Sequence, residues 1–256
     1  MVRSGILAAA LLVAATTAHA GAFVNGGFET GDLSGWTQGS GYWYGGWPLN
    51  PADYSVGGPK YDASANANGI VTPGLDPRTD NKLNMVYAGN YSARANDSNN
   101  NYSVSTLTQS VNNYTDSHIY FAWAAVLQGS HGLTDSDNFT LTLTDDTVGT
   151  TLYQRSYNSA SAAGTSLFTQ SSTGWFYTAW QIENLDVSSA LGHNFTLALL
   201  AADCPYGGHA GYIYLDGFGS VIPPVGVAEP ASLALLGLGF VGLGLIRTRR
   251  QTSAAA

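Results

Sequence analysis

Phe139, Leu141 and Leu143 alternate with Thr140 and Thr142. A period of two puts the apolar side chains on one face of a strand and the hydroxyls on the other. The same beat runs through Val104–Val111 and Phe195–Ala201, and through the closing stretch, where Tyr212, Tyr214 and Asp216 share one side and Ile213 and Leu215 the other. Thr151–Tyr157 follows an Asp145-Asp146 turn and reads as the hairpin partner of 139–143. Trp175–Ile182 and the short Asn84–Tyr87 also have strand character. Ile119–Leu127 (IYFAWAAVL) does not alternate; its length and aromatic content predict a central strand buried on both faces. Asn90–Tyr102, Gly129–Asn138 and Ser159–Gly174 are rich in Asn, Ser, Gly and Ala and read as loops, with one short turn within Leu185–His193. Short strands joined by such turns predict an all-β fold of two antiparallel sheets.

Two apolar runs break this pattern, one at each end. Arg3, the run Ile6–Ala15 and the small-x-small triplet Ala18-His19-Ala20 have the order of a secretory signal peptide, residues 1–20, cut before Gly21. At the other end Glu229-Pro230 leads into the run Ala231–Ile246, which Arg247, Arg249 and Arg250 stop. The run is slightly shorter than the ~20 residues of a spanning helix, and arginines that reach the headgroups make up the difference. The positive-inside bias keeps those arginines in the cytoplasm. The expected organisation is a signal helix, a β domain over 21–222, a linker over 223–226, a membrane segment over 227–250 and a cytoplasmic tail over 251–256. This order of polar-proline entry, apolar run and basic stop resembles the PEP-CTERM sorting signal, with Ala228 standing where that signal has its first proline. The resemblance implies processing by an exosortase-type membrane enzyme. It also implies transient anchoring in the membrane and a final location at the cell surface or in the extracellular matrix. A plain tail anchor is the alternative.

Composition sharpens the picture at three points. The net charge is −8, and four of the nine basic residues (Arg3, Arg247, Arg249, Arg250) sit in the two ends, so the body is more acidic still. Such a surface repels phosphate backbones, which argues against nucleic acid as a partner, and suits hard cations such as calcium. Cys204 is the single cysteine, so no disulfide within the chain supports the exported body. Sequons at Asn90, Asn96, Asn101, Asn113, Asn138 and Asn194 fit Asn/Thr-rich loops and strands.

Asn25, Phe28, Glu29, Gly31, Gly35 and Trp36, in FVNGGFETGDLSGW, resemble the opening strand of galactose-binding-like β-sandwich domains, a fold shared by many carbohydrate-binding modules. Thr106–Val111 resembles a second strand of that family, and Gly211–Phe218 (GYIYLDGF) its closing strand. The resemblance implies a two-sheet antiparallel jelly roll. It also implies a structural calcium held by Glu29 and Asp216, which the jelly roll brings together. Tyr42, Trp43, Tyr44 and Trp47 crowd the start of the least periodic region, 40–82, and predict an aromatic platform for sugar rings; the competing reading is that they cap the core. Asp135 and Asp137, near Asp145 and Asp146, are the nearest thing to a glycosidase acid pair, but closeness in sequence does not set two carboxylates across a sugar bond. No G-x-S-x-G or H-E-x-x-H motif is present. Cys204 and His209 are two residues of metal-ligand type, too few for a zinc site. The expectation is a non-catalytic module that associates with extracellular polysaccharide. A structural matrix protein without specific sugar binding and a polysaccharide hydrolase are the alternatives.

Overall fold

The computed structural model describes residues 22–129 and 131–219. The signal peptide, the linker, the sorting segment with Glu229, Pro230, Arg247, Arg249 and Arg250, and the tail lie outside the described residues. Among those described, no helix is long and apolar enough to cross a membrane.

Among the described residues the body is formed by twelve strands: β1 (Thr37–Tyr42), β2 (Gly69–Val71), β3 (Ser92–Ala95), β4 (Ser103–Val111), β5 (His118–Leu127), β6 (Asn138–Asp145), β7 (Thr150–Asn158), β8 (Phe168–Gln170), β9 (Phe176–Thr178), β10 (Gln181–Asp186), β11 (Phe195–Ala202) and β12 (Gly211–Gly219). Two one-turn helices interrupt them, α1 (Pro51–Tyr54) and α2 (Ser159–Ala162). One sheet runs β1-β4-β11-β6-β7; the other runs β2-β3-β12-β5-β9-β8, with β10 also on β5. Every pairing is antiparallel. The architecture is thus a two-sheet antiparallel sandwich.

The alternating positions build the core as the pattern predicts. Leu107 of β4, Phe139, Leu141 and Leu143 of β6, and Phe195, Leu197 and Leu199 of β11 meet Ile119, Phe121 and Trp123 of β5 and Ile213 and Leu215 of β12 between the sheets. Each such side chain contributes about 1.5–3 kcal/mol by leaving water. The continuous run in β5 is explained by a second cluster on its other face: Ala124 and Val126 pack with Tyr212, Tyr214, Trp175, Tyr177 and Leu83. The outer face of the first sheet is covered in the same way, by Trp43, Leu49 and Tyr54 against Val104, Leu200 and Ala202.

Several segments differ from the sequence reading. Residues 23–29 form no strand: Asn25 and Phe28 have φ of 50° and 57°, and turns close from Phe28 N to Asn25 O and from Gly31 N to Phe28 O. Phe28 and Trp36 still enter the core, their rings 5.2 Å apart. The Asn84–Tyr87 segment makes only an isolated bridge, Asn84 to Leu75. The loops expected at 90–102 and 159–174 contain β3 and β8. The strand expected over 175–182 breaks between β9 and β10, so both flank β5, β9 at Val126–Leu127 and β10 at His118–Trp123.

Candidate functional site

Strand register gathers three loops at one end of the sandwich. Tyr42 at the end of β1 lies opposite Ser103, the start of β4; Val104 lies opposite Ala202, the end of β11; and Ala202 lies opposite Asn138, the start of β6. In the other sheet Leu127, the end of β5, faces Gly211, the start of β12. The segments 43–49, 131–137 and 203–210 therefore emerge together.

Their side chains border an open cleft of about 300 Å³ lined by Tyr44, Trp47, Thr134, Asp135, Pro205 and Tyr206. Tyr44 is 72 % exposed, Tyr206 64 % and Trp47 37 %. These three rings leave an exposed aromatic patch at the mouth of the cleft. The turn between Tyr44 and Trp47 rests on Gly45 and Gly46, with φ of 120° and 91°, a region closed to most side chains. Trp43 Nε1 donates to Gly46 O at 3.1 Å and holds that turn from below. Tyr44 packs on Tyr102 at 5.1 Å and on Tyr42 at 6.3 Å, with the latter pair near-parallel. Asp135 brings a carboxylate to the cleft wall, with its Oδ1 buried and without a hydrogen-bond partner.

The loops are anchored by buried carboxylates. Asp203 Oδ2 accepts from Asn101 N, Ser103 N and Ser103 Oγ, and its Oδ1 accepts from Asn96 Nδ2. Asp137 accepts from Gln128 N at 2.8 Å and from Ser159 Oγ at 2.7 Å. Burial drives both acids up, Asp203 to about 7 and Asp137 well above the usual carboxylate range. Of the pair Asp135 and Asp137, only Asp135 lines the cleft; Asp137 is fully buried with both oxygens engaged.

Two of the four rings expected to form the platform, Tyr44 and Trp47, are on the cleft. Trp43 is a correction: at 1 % exposure it is core, packed between Leu49, Tyr54 and the outer face of the sheet, and offers no face to a ligand. Tyr42 is half-buried behind Tyr44. Tyr206 was not singled out from sequence, since it lies far along the chain from the aromatic cluster and only the register of β11 and β12 brings it there.

Glu29 and Asp216 grip the same loop from the two ends of the chain. Glu29 accepts from Asn90 N, Asn90 Nδ2 and Tyr91 N. Asp216 accepts from Tyr87 N and Ala88 N at 3.1 Å each and from Gly217 N at 2.7 Å. The opening and closing stretches meet where Phe218 N donates to Gly26 O. Burial, and to a smaller extent the charge of Glu29, push Asp216 up to about 7. Among the described residues no ion pair involving either carboxylate is seen.

No family model matches the chain, and no curated protein matches it. Solved structures do. TmCBM61 in complex with β-1,4-galactotriose is 15 % identical, with 77 % of this chain and 96 % of that chain covered and a TM-score of 0.37. A non-crystalline cellulose specific carbohydrate-binding module, CBM28, is 12 % identical, with coverages of 76 % and 92 % and a TM-score of 0.37. CBM27-1 of Caldicellulosiruptor saccharolyticus in complex with mannohexaose is 11 % identical, with coverages of 64 % and 88 % and a TM-score of 0.35.

Proposed function

We propose that this protein is an exported, non-catalytic module that binds extracellular polysaccharide in the cleft between Tyr44, Trp47 and Tyr206. The observation that carries the reading is the cleft itself: three solvent-facing rings from two loops, with the Asp135 carboxylate on a third. Ring faces take up the C–H faces of sugars, and Asp135 accepts from a hydroxyl. The leader directs the body out of the cell, and the segment from Glu229 to Arg250 holds it in the membrane until an exosortase-type enzyme releases it to the surface or matrix. The Glu29–Asp216 pair suits a structural calcium: both groups are oxygen donors, they repel each other, and Asp216 Oδ1 receives a single amide. The ion would neutralise that repulsion and tie the first turn to the last strand.

The cleft is tested by affinity electrophoresis and calorimetry on a panel of bacterial exopolysaccharides. The intact protein binds at least one, and Trp47→Ala and Tyr206→Ala each weaken it by about tenfold or more, as expected for a contact worth 1.4 kcal/mol or above. Undiminished binding by the double variant rules out this cleft. Export is tested by intact mass across cell fractions. The mature protein is expected outside the cytoplasm, starting at Gly21 and shortened near Pro230; a full-length cytosolic product overturns the matrix role.

A further inference from the structure

Three side chains next to the cleft converge on a point that sugar binding does not use. His131, on the loop after β5, and Cys204 and His209, on the loop between β11 and β12, carry ligand atoms that all lie within 4.8 Å of one another. The two imidazole rings have centroids 4.6 Å apart.

The geometry around the sulfur is tightly set. Cys204 is buried, and Gly208 N and His209 N both donate to its Sγ at 3.2 Å. The loop that supplies these amides is closed by Cys204 N to His209 O at 2.9 Å and by Gly207 N to Cys204 O at 3.2 Å. Gly207 has φ of 70°, and a Cβ there would meet the Tyr102 ring at 2.5 Å, so the tight turn depends on glycine. His131 is held through its own amide, which donates to Ser136 Oγ at 3.0 Å. The orphan in this arrangement is His209 Nδ1, which is buried and has no hydrogen-bond partner. A buried imidazole nitrogen left without a partner is costly, and coordination removes the cost.

We propose that His131, Cys204 and His209 form a zinc site, with three protein ligands and a fourth position for water. One sulfur and two imidazoles are a donor set that zinc prefers and calcium or magnesium does not. On binding, the zinc–sulfur bond replaces the S–H bond of Cys204 and the proton leaves to solvent. The ring of His131 meets the edge of Tyr206 at 5.1 Å. The metal thus ties the loop carrying Asp135 to the loop carrying Tyr206.

The test uses the full-length chain, stripped with chelator under reducing conditions and titrated with zinc, and with cobalt as a spectroscopic stand-in. One equivalent of zinc is expected to bind, and the cobalt form to show thiolate-to-metal charge transfer. His131→Ala, at an exposed position, is expected to keep the circular dichroism and melting of the stripped protein and to weaken zinc by about tenfold or more. Cys204→Ser abolishes the charge-transfer band. Failure to bind one equivalent, or equal affinity in a folded His131→Ala variant, overturns the site. None of these readouts involves sugar, so the zinc site and the polysaccharide cleft stand or fall separately.

Discussion

Trp43 and Trp47 share one loop and do opposite work. Trp43 is sealed against Leu49, Tyr54, Val104 and Leu200, while Trp47 keeps a face in water at the cleft. Truncating a buried tryptophan removes its transfer energy and leaves a cavity, so Trp43→Ala is expected to cost about 3–5 kcal/mol. Trp47→Ala is expected to cost within about 1 kcal/mol, as for a surface position, while losing ligand. Urea denaturation of the two variants checks this: the midpoint falls for Trp43→Ala and barely moves for Trp47→Ala. Equal losses would mean that the two rings are packed alike and that the cleft wall is misassigned.

At the scale of elements, legibility followed how far each segment obeys its own local pattern. β4, β5, β6, β7, β11 and β12 were all readable, because alternation or a continuous apolar run dictates what each face meets. The facing of β12 was readable residue by residue: Ile213 and Leu215 enter the central core, while Tyr212 and Tyr214 turn outward to donate to buried Asp76. The first stretch misled because Phe28 and Trp36 reach the core from a chain of turns; apolar spacing there records turn geometry, which hydrophobic period does not encode. β3 and β8 are short and owe their strand state to neighbours in the sheet rather than to propensity. The site was half visible for the same reason. Tyr44 and Trp47 stand in one aromatic cluster, but Tyr206, Asp135 and His131 join them only through the register that aligns the ends of β1, β5 and β11. The pair Cys204 and His209 lacked its third partner in sequence because His131 lies on a different connection between the sheets.

Across the whole molecule, the buried acids set how stability depends on pH. Asp203 and Asp216 are each raised to about 7 and Asp137 is raised well above its ordinary value, all mainly by burial. An unfolded aspartate releases its proton near 3.8. From about pH 4 to pH 7 the folded chain therefore holds protons that the unfolded chain has lost, and stability falls as pH rises through this window. The exposed turn aspartates Asp32, Asp62, Asp80 and Asp186 are lowered, chiefly by side-chain hydrogen bonds from neighbouring serines, so their contribution is lost only as pH falls below the ordinary aspartate range. His209, held low, favours the folded state less as pH drops below 6.5, but it is one partly exposed ring against three buried acids. The sum places maximum stability near pH 4–5. In chelator, the melting temperature is expected to be at least about 5 °C higher at pH 5 than at pH 8, since each kcal/mol is worth roughly 2–4 °C in a domain of this size. Asp216→Asn should flatten the slope. Calcium at Glu29 and Asp216 would act where Asp216 is ionised, raising the melting temperature at pH 8 and leaving pH 5 unchanged. A melting curve indifferent to pH would contradict the buried acids, and one indifferent to calcium at pH 8 would remove the ion while leaving the carboxylate clamp on residues 87–91 in place.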